Sequence, residues 1–357
     1  MSYLPKLCSK MTSEKEEMLW NKACFLTRLV ASSVRLSEAA GGIIKDIMRG
    51  GDLKIVNKDQ TGKMKDLQTE ADRSAQFCIE QSLRAKFGEY LQIIGEEDIS
   101  ASIPSRQPEP SPNGLHLQIV GKEDVTTAVP SLEVLNMDDQ VPNELRNIDL
   151  QDVVVHTKIR VTVLIGITHR GRPVAGVVHQ PYYDGGPTAD GLVADGRTVW
   201  SIVGLGTFGH QKAAAAKTAT LSNESGEQMS RTAVTTASHH TKLVEEALKA
   251  LSDQKLINAV ERVGGAGFKV LRCLEGAAAY VFASSGCKKW DTAAPEALLM
   301  AAGRQIGRLI RYDCKVQLAN SGGVLATAPG VDHQSFVAAI PQSVKDALPE
   351  QKSSTAN

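Results

Sequence analysis

Residues 159–178 read IRVTVLIGITHRGRPVAGVV. Two apolar runs, Ile159–Thr168 and Val174–Val178, flank Arg170-Gly171-Arg172-Pro173. Apolar runs on either side of a turn signal predict an antiparallel hairpin. Val153–Val155 just before it and Arg197–Val203 after it extend this into a meander of strands. Upstream the period changes. Leu19, Ala23, Leu26, Val30 and Val34 recur at helical steps, so Glu17–Arg49 is expected as a helix. A second helix is expected over Thr69–Phe87, with a short strand at Leu91–Ile94. Pro104, Pro108, Pro110 and Pro112 mark residues 100–148 as a surface loop.

Downstream of an alanine-rich stretch at 210–220, read as a linker, helices and strands alternate. Strands are expected at Ala233–Thr236, Asn258–Val263 and Ala278–Phe282, and helices at Lys242–Leu251, Phe268–Leu274 and Ala293–Ala302. The order is helices, a strand meander, then an α/β lobe, so the class is α/β. Two lobes are expected, residues 17–210 and 230–347.

Composition narrows the function classes. Lys plus Arg equal Asp plus Glu at 40 each, which argues against a general nucleic-acid binder. No apolar run reaches the roughly 18 residues a membrane span needs. The six cysteines are dispersed without C-x-x-C spacing, so reduced thiols are expected and a zinc site is not. A cytoplasmic monomer acting on a small molecule is the expectation.

Four stretches carry groups suited to chemistry. In Asp66-Leu67-Gln68-Thr69-Glu70-Ala71-Asp72, Thr69 and Asp72 have capping-box spacing. Asp72 is then either a helix cap or a general base facing a cleft. Gly95-Glu96-Glu97-Asp98 follows a strand, so Glu96 is either solvated or a hard oxygen ligand for Mg²⁺. In Trp290-Asp291-Thr292-Ala293-Ala294-Pro295-Glu296, Asp291 is either an N-cap or a metal ligand beside a helix start. Gly264-Gly265-Ala266-Gly267 with Lys269 is either a tight turn or a phosphate cradle. Gly204-Leu205-Gly206-Thr207-Phe208-Gly209 spells a dinucleotide fingerprint, but no helix is expected after it, so it is read as turn glycines.

Taken in order, T-x-A-D, G-E-E and W-D-x-A-A-P-E resemble the inositol monophosphatase superfamily of magnesium-dependent, lithium-sensitive phosphatases. The stretches GDLKIV, DLQTEADRSAQ, IIGEED, VTVLIGI, GVVHQPYY, RVGGAG and AYVFASSGCKKWDTAAPE look like its 3'(2'),5'-bisphosphate nucleotidase branch. The resemblance runs from about Leu26 to Thr327. It implies a layered αβαβα sugar-phosphatase fold and hydrolysis of 3'-phosphoadenosine 5'-phosphate to AMP, often with activity on inositol 1,4-bisphosphate. It implies Asp72 as the carboxylate that helps activate water, Glu96 and Asp291 as Mg²⁺ ligands, and nucleotide contacts from Thr236, His239, Gly265 and Lys269.

One motif of that family is missing. After the strand ending at Val155 the family carries D-P-[IL]-D-G-[ST], which supplies two further metal-binding aspartates. Here Val155 is followed by His156-Thr157-Lys158-Ile159-Arg160. Asp149 and Asp152 have the right mutual spacing but precede the strand, so they are expected at its wrong end. Lys158 and Arg160 bring positive charge toward the place where metal is expected. The alternative is therefore a catalytically impaired relative that acts as a nucleotide-binding or interaction protein.

Overall fold

The computed structural model describes residues 14–51, 56–57, 67–88, 91–96, 130–159, 162–183, 196–210, 220–222, 228–237, 241–303, 310–312, 318–328 and 330–348. Helix α1 (Phe25–Gly50) is followed by a small antiparallel pair, β1 (Val56–Asn57) and β2 (Leu67–Gln68), and by α2 (Glu70–Phe87). A six-stranded sheet then forms in the order β3 (Gln92–Gly95), β4 (Val153–Ile159), β5 (Val163–His169), β6 (Arg172–Gln180), β7 (Arg197–Ile202), β8 (Gly206–Phe208). Only β3 and β4 run parallel; the other pairs are antiparallel. The expected hairpin is β5–β6.

After a short pair, β9 (Thr220–Ser222) and β10 (Gln228–Ser230), the chain alternates. It runs through β11 (Thr232–Thr236), α3 (Lys242–Asp253), β12 (Ala259–Val263), α4 (Ala266–Leu274), β13 (Ala279–Phe282), α5 (Lys289–Ala301), β14 (Val324–Thr327), α6 (His333–Ala339) and α7 (Gln342–Ala347). The second sheet has the order β12-β11-β13-β14, with β14 antiparallel to β13.

Burial shows the layering. Leu26, Val30, Ile79 and Leu83 of α1 and α2 pack on Val153, Val155, Ile165 and Val177 of the first sheet. The opposite face of that sheet, through Leu164, Val178 and Val199, meets Leu271, Leu298 and Tyr280. Beyond the second sheet, Val244, Leu248, Phe336 and Val344 close the outer layer. The result is the expected αβαβα stack. Helix α5 lies on β5 and β6, so the two expected lobes share a layer.

Three expectations change. First, residues 130–148 are not loop. Leu132–Leu135, Asp138–Gln140 and Asn143–Arg146 are short helical turns, and Val134, Leu135, Val141 and Leu145 are buried. Asp138 explains their docking. It accepts from Cys24 N (2.9 Å) and Thr27 Oγ1 (2.6 Å) and pairs with Arg146 (2.7 Å), supplying α1 with a cap from a distant segment. These donors hold its carboxyl below the usual range against the opposing effect of burial. Residues 14–22 are helical as well, so the helix expected over Glu17–Arg49 is present but broken at Ala23–Cys24, where this cap starts α1 at Phe25. Residues 100–129 of that expected loop and 211–219 of the expected linker lie outside the described residues.

Second, α5 begins at Lys289, four residues earlier than expected, because the Asp291 carboxylate accepts from Lys288 N at 2.8 Å. Pro295 therefore sits inside the helix, where it leaves the carbonyl of Asp291 without its usual donor. Third, β4 does not stop at Val155. It continues through His156, Thr157, Lys158 and Ile159, each paired in register with β5 from Gly166 to Val163.

Among the described residues no helix is long and apolar enough to cross a membrane. Cys24, Cys78, Cys273 and Cys287 are free thiols, as expected. The glycine decoy contains strand β8, and residues 211–219 after it lie outside the described residues.

Candidate active site

The site forms where the carboxyl ends of β3 and β4 meet the start of α5. Parallel pairing sets Gly95 beside Thr157, and Glu96 N donates to Thr157 O at 3.2 Å. Glu96 thus emerges next to Lys158. Along β4 the side chains alternate. Val153 and Val155 face α1 and α2, while His156 and Lys158 face α5.

Two glycines let α5 come close. Gly166 and Gly176 are cross-strand partners on β5 and β6. A Cβ on Gly166 would lie 2.5 Å from Ala294 N, and one on Gly176 would lie 2.5 Å from Ala294 O. The helix rests on bare backbone, and its first turn brings Asp291 down beside β4.

Lys158 therefore sits between two carboxylates. Its Nζ pairs with Asp291 Oδ1 and lies 3.6 Å from Glu96 Oε2. The three side chains are only 13%, 10% and 9% exposed for Lys158, Glu96 and Asp291. Coulomb attraction among such groups is weakly screened, and removing one member strands the others. Asp291 has both oxygens engaged, one by Lys158 and one by Lys288 N.

Asp72 takes the capping position. Its carboxylate accepts from Thr69 N (2.8 Å) and Thr69 Oγ1 (2.9 Å), and its own N–H donates back to Thr69 Oγ1 at 3.3 Å. It stands at the first turn of α2, which packs on α1 and β4. Asp149 and Asp152 lie at the other end of β4. Asp149 caps a short turn through Gln151 N, and Asp152 pairs with Arg170 at 2.8 Å. Six residues of strand at about 3.3 Å each separate Asp152 from Lys158.

The residues expected to contact nucleotide lie at the carboxyl ends of the second sheet. Thr236 ends β11 and is buried, opposite Val263 of β12. Gly265 has φ +75° at the start of α4, a left-handed value that favours glycine. Lys269, one turn on, is buried, with Nζ 3.3 Å from Gly265 O and 5.4 Å from the centre of the Tyr280 ring. Burial pushes its ammonium down to about 8, with Lys158 adding to the fall and Cys287 and Asp291 opposing it. His239 lies outside the described residues.

Beneath the site is a polar network that sequence reading missed. Tyr312 OH donates to Glu296 Oε2 at 2.5 Å and lies 2.9 Å from Thr292 Oγ1. Asn320 Nδ2 donates to Thr292 Oγ1 (2.9 Å) and Lys288 O (3.0 Å). The His156 ring packs edge-on against Tyr312 at 5.4 Å, and burial, aided by Lys289, drives its pKa down to about 3. His156 is therefore a neutral wall of the site. Burial raises Glu296 to about 7.

The Mg²⁺ expected from the resemblance does not fit these residues. Among the described residues no three carboxylate, histidine or cysteine side chains gather into a metal-holding group. Lys158 already neutralises the two that converge. A divalent ion between those carboxylates would have to displace the Lys158 ammonium or stand against its charge.

Comparison with known proteins agrees with the fold and the family. Residues 155–345 match the model of the inositol monophosphatase family. The human 3'(2'),5'-bisphosphate nucleotidase 1 is 38% identical over 341 residues, covering 90% of this chain and 97% of that protein. The Dictyostelium discoideum 3'(2'),5'-bisphosphate nucleotidase 1 is 30% identical over 342 residues, covering 89% and 97%. Among solved structures, the Thermotoga maritima IMPase superposes with a TM-score of 0.51 at 16% identity, covering 89% of this chain and 98% of that one. The inositol monophosphatase-II of Staphylococcus aureus gives 0.52 at 15%, covering 90% and 96%. The chain belongs to the inositol monophosphatase family of phosphoric monoester hydrolases, on the branch of the 3'(2'),5'-bisphosphate nucleotidases.

Proposed function

We propose that this chain binds 3'-phosphoadenosine 5'-phosphate and that its reaction, release of the 3'-phosphate to leave AMP, runs slowly. The observation that carries this is Lys158 lodged between Glu96 and Asp291. The substrate class is supported by the 38% identity to the human bisphosphate nucleotidase. It is also supported by Thr236, Gly265 and Lys269 at the carboxyl ends of parallel strands, where open α/β sheets take ligands.

This chain's own residues have definite work in that reading. Gly265 opens backbone N–H groups toward a phosphate, and Lys269 supplies a charge-assisted donor. Lys158 faces the transferring phosphate as a fixed positive charge. Asp72, whose carboxylate is engaged by Thr69 at the start of α2, is assigned the acceptance of a proton from water on the strength of its T-x-A-D motif. Without a metal clamp, a loss of roughly 10²–10⁴-fold in rate is expected relative to metal-assisted transfer.

A second reading has an observation in its favour. Asp72, Glu96 and Asp291 all survive in their motifs, as a full magnesium-dependent phosphatase would require. In that reading Glu96 and Asp291 would hold Mg²⁺ with Lys158 turned aside, and inositol 1,4-bisphosphate would be a further substrate. Phosphate release from 3'-phosphoadenosine 5'-phosphate across a magnesium titration separates the two. Slow turnover with no magnesium response supports the first. Turnover that rises steeply with magnesium and is lost in Asp291→Asn establishes the second.

A further inference from the structure

We infer that the Lys158 ammonium is a tethered cation standing in for the metal between Glu96 and Asp291, so that this pocket grips a phosphate monoester without a divalent ion. The inference rests on the reading above for its ligand and on the geometry alone for its cation.

The sequence builds this substitution in three steps. Joining Val155 directly to His156-Thr157-Lys158 keeps the chain in strand, since every residue to Ile159 finds a partner on β5. Alternation then turns Lys158 toward α5 rather than toward α1. The bare backbone at Gly166 and Gly176 fixes α5 near enough for Asp291 to reach it. The same register that pairs Gly95 with Thr157 delivers Glu96 from the other side.

Charge counting gives the consequence. Glu96 and Asp291 bring two negative charges, and Lys158 and Lys269 bring two positive ones. Lys269 lies close enough to feel both Asp291 and Lys158. An arriving phosphate dianion meets Glu96 and Asp291 already paired with Lys158 instead of two bare carboxylates. In a site that depended on a divalent ion for that pairing, removing the ion would repel the ligand. Here the neutralising charge is covalently attached.

The test uses the full chain and begins with Mn²⁺ alone, followed by electron paramagnetic resonance. The wild type is expected to leave Mn²⁺ free up to about 1 mM, whereas Lys158→Met, which keeps the stem and removes the charge, gains a site at least about tenfold tighter. Adenosine 3',5'-bisphosphate binding is then measured by calorimetry in EDTA and in Mn²⁺. The wild-type Kd should agree in the two conditions within about twofold. Lys158→Met should lose about tenfold or more in EDTA and recover in Mn²⁺. Tight Mn²⁺ uptake by the wild type, or loss of its nucleotide binding in EDTA, overturns the inference. If neither protein binds the nucleotide under any condition, the proposed substrate is wrong, while the Mn²⁺ titration still decides the role of Lys158. Circular dichroism checks folding, and Lys158→Gln replaces Lys158→Met should the latter not fold; the wild-type Mn²⁺ titration stands in either case.

Discussion

Strand β4 carries an ion-paired group at each end, and the two ends behave differently. At its start Asp152 meets Arg170 at 2.8 Å, with the arginine side chain 73% exposed. Near its finish Lys158 meets Glu96 and Asp291, all but enclosed. Both ends pair a basic side chain with a carboxylate. What differs is water. Solvent screens the first pair to little consequence, while the second is held by strand register, helix start and backbone contact at once. Position in the fold, not the presence of charged residues in the sequence, decides which end is a site.

The largest effect expected from breaking that contrast is Lys158→Ala. Stranding two enclosed carboxylates should cost about 3–5 kcal/mol in urea unfolding, and added Mn²⁺ should restore much of it. Next is Gly166→Ala. A methyl group there meets the α5 backbone at 2.5 Å, so about 1–3 kcal/mol should be lost. Nucleotide affinity should fall with it, because Asp291 moves away from Lys158.

Lys269 sharpens the comparison through pH. Its ammonium is held at about 8 by burial, below an ordinary lysine near 10.4. Between those values the unfolded chain binds more protons than the folded one, so stability should rise with pH across that window. Lys269→Met should remove the rise. Nucleotide affinity should move the opposite way, falling as pH passes about 8, because the donor loses its charge. Smallest is Asp152→Asn at the exposed end, which should change unfolding by at most about 1 kcal/mol and leave nucleotide binding unchanged.

Local signals in the sequence carried far. The β5–β6 hairpin follows from two apolar runs about a turn, and α2 from a Thr69–Asp72 cap. Glu96 and Asp291 were legible because each follows a strand within a recognisable motif. The features that escaped are those closed over long separations. Asp138 caps α1 across 114 residues, and no local pattern announces it. Tyr312, Asn320 and Thr292 meet across 20 and 28 residues beneath the site. Lys158 was legible as a charge near the site but not as its centre. Short apolar strands were expected on either side of it, and only pairing with β5 draws His156, Thr157 and Lys158 into one continuous strand.

The most direct test of Lys158 as the resident cation is diffraction from crystals of the full chain grown with Mn²⁺ and adenosine 3',5'-bisphosphate. Data at the manganese edge should show no anomalous peak between Glu96 and Asp291, with Lys158 Nζ paired to both. A manganese peak bridging those two carboxylates, with Lys158 turned away, would contradict it.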